Sequence, residues 1–230
     1  MNLTVIDTIP FRPDRAALVK RLRLRDGSSY LADLQRLVDE AEVIARPKAL
    51  YKVAFIDDRG DDYVVVDGVR LDSRVLAVNL EPVHRVFPYV ATCGVELDAW
   101  AHAQNDMLHK YWADTIKEIA VREAIQALFE YMTEMYGLGK MAVMSPGSLD
   151  DWPIPQQRPL FTILGDVVGA IDVQLSDSFL MTPNKSVSGL RFAAAEDFAS
   201  CQLCPRENCP GRRAPYDDTL YDRKYRKVYS

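Results

Sequence analysis

Between residues 95 and 136 the sequence carries a nearly unbroken helical pattern, and no other feature restricts the fold as strongly. Leu108, Trp112, Ile116 and Ile119 recur three or four residues apart as one apolar stripe, and Val121, Ile125, Leu128, Met132 and Met135 form a second. Gly137 and Gly139 end it, since glycine readily adopts the left-handed cap. A helix of that length needs a broad apolar partner, and the flanking segments read as its sheet. Residues 50–56 and Tyr63–Val66 are β-rich, Asp67-Gly68 is a tight-turn dipeptide, and residues 69–71 return as a short strand. The run Arg85–Thr92 reads as a buried strand that Cys93-Gly94 terminates. Residues 140–144, 171–181 and 186–192 are read as further strands, the last two joined by residues 182–185. Shorter helices are expected from Pro13 to Leu22 or Leu24, over 31–41, from Asp72 or Ser73 to Leu80, and over 156–164. Hairpins outnumber βαβ alternations, so the expected class is α+β, with a mainly antiparallel sheet flanked by helices.

Length and charge bound the function. A chain of 230 residues buries roughly 70–75% of its unfolded surface, enough for one real core. With 48% hydrophobic and 27% charged residues the composition is that of a globular protein, not a disordered or rod-like one. The longest uncharged run, residues 86–95, is ten residues, about half of what a membrane span requires. The N-terminus lacks the composition of a secretory or transit signal, and a cytoplasmic setting is expected. Net charge is −5, which argues against generic nucleic-acid binding. Residues 201–230 run against that balance, with seven basic side chains to four acidic, so the tail is either a solvated strip or a docking strip for an acidic partner. A division into residues 1–197 and a Cys-rich basic appendage, 198–230, follows.

Two stretches go further: MSPGSLDDWPIPQQRPLF (144–161) and LSDSFLMTPNKSVSGL (175–190). Pro146-Gly147, Ser176-Asp177-Ser178, Met181-Thr182-Pro183 and Ser186-Val187-Ser188-Gly189, in this order, resemble the reactivation domain of cobalamin-dependent methionine synthase and its stand-alone relatives. The opening Ile6-Asp7-Thr8-Ile9-Pro10-Phe11 resembles that family's first segment. The likeness spans residues 1–195 and implies that family's curved α+β fold. It also implies S-adenosylmethionine bound over the cobalamin of a partner, so that an inactive Co(II) centre is reduced and remethylated. On that resemblance, Asp7 would face the positive end of the ligand. Ser145, Pro146 and Gly147 would offer backbone contacts, glycine allowing close approach, and Ser186, Ser188 and Gly189 would complete the site as a turn. The sequence departs from the family at three places: the carboxylate-gripping arginine is Val143, the aromatic after the glycine is Ser148, and the acid of the long helix is Gln126.

The four cysteines are Cys93, Cys201, Cys204 and Cys209. Cys-X2-Cys-X4-Cys in the tail has the spacing of a metal or iron–sulfur site, with Cys93, or one of His84, His102 and His109, as a fourth ligand. Zinc would make the tail a structural clip; a cluster would make it an electron-delivery module. Redox thiols and incidental packing remain open, whereas a disulfide framework is disfavoured without a secretion signal. The acidic run 57–62 lacks the terminal glutamate of a calcium loop, and no phosphate loop, nucleophile elbow or two-histidine zinc helix occurs. Two functions stand as expectations. One is a reactivation or accessory protein for a corrinoid-dependent methyltransferase, binding S-adenosylmethionine and passing electrons through the tail. The other is a non-catalytic docking module for a corrinoid protein, clipped by zinc.

Overall fold

A computed structural model describes residues 3–25, 27–194, 196–209 and 211–226. The strands are β1 (Thr4–Ile6), β2 (Lys48–Tyr51), β3 (Ala54–Arg59), β4 (Tyr63–Val66), β5 (Val69–Asp72), β6 (Arg85–Thr92), β7 (Met141–Met144), β8 (Gln174–Leu175), β9 (Met181–Thr182) and β10 (Ser186–Ala193). The helices are α1 (Arg15–Arg21), α2 (Tyr30–Ile44), α3 (Arg74–Asn79), α4 (Val95–His102), α5 (Met107–Tyr136), α6 (Gln157–Leu164) and α7 (Val167–Ile171).

β6 is the axis of the sheet. One of its edges pairs with β10, from Ser186↔Thr92 to Phe192↔Val86. The other is shared by β2, from Lys48↔Thr92 to Tyr51↔Tyr89, and by β3, at Ala54↔Val86. That position explains its almost purely apolar sequence, because both faces and both edges are covered. β1 lies outside β2, β7 outside β10, and β4 and β5 extend the β3 side; every pairing is antiparallel and the sheet is strongly curled. The β4–β5 hairpin turns on Asp67 and Gly68, at φ 46° and 77°, as a mirror-image turn demands.

The long helical pattern divides in two. Asp106 accepts from the amides of Leu108 and His109, at 2.8 and 3.0 Å, and starts α5 afresh after α4. The first half of α5 packs Trp112 and Ile116 against Phe11, Leu18, Leu37 and Leu97. Its second half lays Leu128 and Met132 over Tyr51, Phe87 and Tyr89 of the sheet. The opposite sheet face carries α6 and α7, through Leu164 and Ile171 against Leu50 and Val90, and a cluster around Trp152, Leu76 and Phe192.

Two expectations change. Residues 50–56 are two strands, because the chain bends at Lys52 and Val53 to pass from one part of the β6 edge to the next. Residues 171–181 are not a strand: Asp166 accepts from the Gly169 amide (2.8 Å) and nucleates α7, Asp172 follows at φ 60°, and only a two-residue hairpin, β8–β9, remains. Val167, Ile171 and Val173, which gave the run its β-like look, are buried together beside Val90. The tail packs on the same body. Tyr225 is fully buried and Leu220 nearly so, both in the cluster around Trp152. The Tyr225 hydroxyl donates to Asn79 (3.0 Å) and its carbonyl accepts from Arg74 (2.9 Å).

Candidate functional site

Successive side chains of a strand point to opposite faces, and this sorts the residues that the sequence grouped. On β10, Val187, Gly189 and Arg191 face α5; Ser186, Ser188, Leu190 and Phe192 face the other way. The Ser186–Gly189 block is therefore the first half of a central strand, not a turn, and its two serines turn away from its glycine. Ser186 Oγ donates to Pro183 O (2.7 Å) and Thr92 Oγ1 (2.8 Å), a buried anchor at the strand start. Ser188 is buried with its hydroxyl unpaired.

Gly189 is required where it stands. A Cβ there would lie 2.7 Å from Met144 O, 2.8 Å from Ser145 Oγ and 2.9 Å from Tyr89 OH. The end of β7, the loop that follows it and the centre of β10 thus converge, and the two glycine-bearing stretches seen in the sequence are neighbours. Ser145 runs into the buried Pro146 and then Gly147 at φ 82°, whose amide donates to Trp152 O (2.7 Å). A Cβ on Gly147 would meet Ile154 at 2.5 Å. Ser148 turns back, its hydroxyl donating to Ser145 O (2.6 Å). Asp7 lies elsewhere in the sheet order: exposed, just past β1, at the edge opposite β7, where its charge helps to raise the Lys48 pKa, behind the hydrogen bond that Lys48 donates to Asp172.

Tyr89 sits beside Gly189 and shares a hydrogen bond with Ser145; burial pushes its pKa up to about 12 against the opposing pull of that bond and of Arg213 and Arg191. Its ring meets Phe129 of α5 edge-on at 5.3 Å. Beyond Phe129 opens a cavity of about 640 Å³, lined by Arg122, Ile125, Gln126, Phe129, Glu130, Thr133, Glu134 and Arg191. Gln126, the position matched to the family's helix acid, is on this wall and donates to Glu130 (2.9 Å). Glu123 is turned away, accepting from the Arg12 amide (3.3 Å), its pKa raised by burial. The sequence reading missed both Arg191 and Glu130. Their signals were an arginine set between Leu190 and Phe192 in an apolar strand, and a glutamate one helical turn from Gln126.

The structure does not gather Cys93 with the tail thiols. Among the described residues no group of three or more His, Cys, Asp or Glu side chains is placed to hold a metal ion. Cys93 is fully buried in the apolar cluster of α1, α2, α4 and α5, and burial drives its pKa up to about 12. Cys204 packs instead against the cluster around Trp152. Within the tail, Arg212 does what a metal would be asked to do. Its guanidinium donates to the carbonyls of Cys201 (3.0 Å), Cys204 (3.1 Å), Ala214 (3.2 Å) and Arg206. The four cysteines do not fit a zinc or iron–sulfur ligand set, and no chemistry is routed through one. The tail does border the site: Arg213, whose charge is felt at Tyr89, also donates its amide to Cys201 Sγ (3.4 Å).

No family model matches the chain, and no curated protein matches it. Among solved structures it is similar to a crystal structure of the MetH reactivation domain bound to AdoHcy. The TM-score is 0.62 at 16% identity, covering 87% of this chain and 81% of that one. The fold is therefore that of the MetH reactivation domain: a curled antiparallel sheet with flanking helices, one of them long. Among the described residues no helix is long and apolar enough to cross a membrane.

Proposed function

We propose that this protein binds an S-adenosyl ligand on the α5-facing side of β7 and β10 and presents it to a corrinoid-carrying methyltransferase, in the manner of methionine synthase reactivation. The observation that carries the reading is the contact of Gly189 with Ser145, in a fold shared with a domain that holds AdoHcy. The glycines at 147 and 189 let the loop after β7 close onto Ile154, Tyr89 and β10, and the groove beyond Phe129, about 640 Å³, is large enough for a nucleoside with a side arm. The partner's corrin would supply the methyl-transfer chemistry. This chain's residues would bind and orient the ligand and exclude water from it. Delivery of electrons by a tail cluster is no part of the proposal, since the cysteines do not converge.

Calorimetric titration with S-adenosylmethionine and AdoHcy tests this directly. Saturable heat at or below millimolar ligand is expected, and its absence overturns ligand binding. Val143 and Ser148 favour a second reading, a docking module without a small-molecule ligand, because neither can grip a carboxylate or stack on a base. That reading requires a corrinoid protein to bind while both S-adenosyl compounds stay silent.

A further inference from the structure

The proposed function leaves Cys-X2-Cys-X4-Cys unused. Its cysteines do not gather as three, but Cys201 and Cys204, both half-buried, close a single turn in which the Cys204 amide donates to Cys201 O (3.3 Å). The first and last Cα atoms of such a turn lie within about 7 Å of each other, and a disulfide spans about 4.4–6.8 Å. The turn is held from outside as well. Ala199 donates its amide to Gln202 Oε1 (3.0 Å), Asp217 donates its amide to Gln202 O (2.9 Å), and Arg212 reaches the carbonyls of both cysteines. None of these bonds uses a sulfur atom.

The two sulfurs have different surroundings. Cys201 Sγ accepts from the Arg213 amide (3.4 Å), and the Ala214 amide and the Arg213 guanidinium also donate to it. Donors converging on one sulfur favour the thiolate, which is the form that attacks. Cys204 packs on the cluster around Trp152 and lines a cavity of about 330 Å³ with Ser148, Tyr216 and Tyr221. An anion cradle at the first cysteine of the turn, with a second thiol three residues behind it, suits thiol–disulfide exchange.

We infer that Cys201 and Cys204 are an exchanging dithiol whose substrate is a disulfide. The Cys201 thiolate attacks one sulfur of an external disulfide; a mixed disulfide forms, the external S–S bond breaks and the first thiol leaves. Cys204 then attacks the Cys201 sulfur, the mixed disulfide breaks and the second thiol leaves. Cys201 and Cys204 end joined, having lost two electrons and two protons, and the substrate has gained both as a pair of thiols. The substrate is a small disulfide or the disulfide of a redox protein, and the exchange is independent of the S-adenosyl reading.

The fully reduced chain is incubated without air with oxidised glutathione or with an oxidised thioredoxin-type protein, quenched with acid at intervals and mapped by peptide mass spectrometry. A Cys201–Cys204 disulfide is expected, with Cys201 reacting about tenfold faster than Cys209. Cys204→Ser should trap the mixed disulfide on Cys201, and Arg213→Ala should slow attack by Cys201 without changing the product. Reaction with glutathione marks a small disulfide as the substrate, and reaction with the protein alone marks a redox partner; either supports the inference. Melting curves accompany each variant, and if Cys204→Ser does not fold, the position of the first adduct on the wild-type chain decides. A first adduct on Cys204 or Cys209, equal rates at Cys201 and Cys209, a disulfide that includes Cys209, or three unreacted thiols overturns the inference. So does iron, zinc or acid-labile sulfide bound stoichiometrically to anaerobic protein and lost in Cys201→Ser, because a ligated thiolate is not free to attack.

Discussion

Cys93 and Cys201 illustrate how far a single side chain is governed by its surroundings. Cys93 is walled by Trp112, Leu97 and Ala41, and burial lifts its thiol to about 12, out of the range in which a thiolate forms. Burial also lifts Cys201, but the amides of Arg213 and Ala214 and the charge of Arg213 outweigh it and bring the thiol below its ordinary value. Iodoacetamide at neutral pH should therefore label Cys201 in the native protein and reach Cys93 only after unfolding, read by mass spectrometry of peptides. The labelling rate at Cys201 should climb with pH through a midpoint lower than that of a free thiol, because a depressed pKa yields thiolate earlier. Arg213→Ala should move that midpoint up. A midpoint at or above the free-thiol value would contradict the local electrostatics. None of this was legible from the Cys-X2-Cys-X4-Cys spacing, which is the same whether a cation, a metal or nothing lies between the sulfurs.

At the level of elements, one carboxylate ties the loop between β7 and α6 to the start of α3. Asp151 accepts from the amides of Arg74 (3.2 Å) and Val75 (3.0 Å) and from the Ser73 hydroxyl, which in turn accepts from the Leu76 amide (2.9 Å). It caps α3 from outside that helix and so fixes the stretch that begins at Pro146-Gly147. Asp151→Ala should cost about 1–2 kcal/mol in urea unfolding, with Asp151→Asn losing less; an unchanged midpoint would show that the cap is dispensable. Cross-element ties of this kind are what the sequence hid. Ser73 as a cap, the Asp67-Gly68 hairpin and the whole of β6 were readable, because each depends on neighbours in the chain. Residues 171–181 were misread because Val167, Ile171 and Val173 are buried from a helix and a connecting segment, yet their spacing also suits a strand. The Ser186–Gly189 block was read as a turn because glycine and serine favour turns, whereas here glycine answers to Met144 and Tyr89 across the ladder.

The whole molecule is closed by a residue far from its other partners in sequence. Tyr225 fills the cluster of Trp152, Leu76, Val75 and Leu80 and meets Phe198 at 6.5 Å. Tyr225→Ala should cost about 3 kcal/mol or more, the usual penalty for emptying a large aromatic site. Trp152 fluorescence should report the change during denaturation, and a loss below 1 kcal/mol would mean that the tail is an appendage after all. The expected boundary near residue 198 came from a change in charge and cysteine content, neither of which reveals where a tyrosine goes. The Arg212 staple carries a wider implication. A guanidinium neither gains nor loses electrons and resists thiol reagents, so the bonds that Arg212 makes to the carbonyls of Cys201, Cys204, Arg206 and Ala214 do not themselves change with the oxidation state of the neighbouring sulfurs.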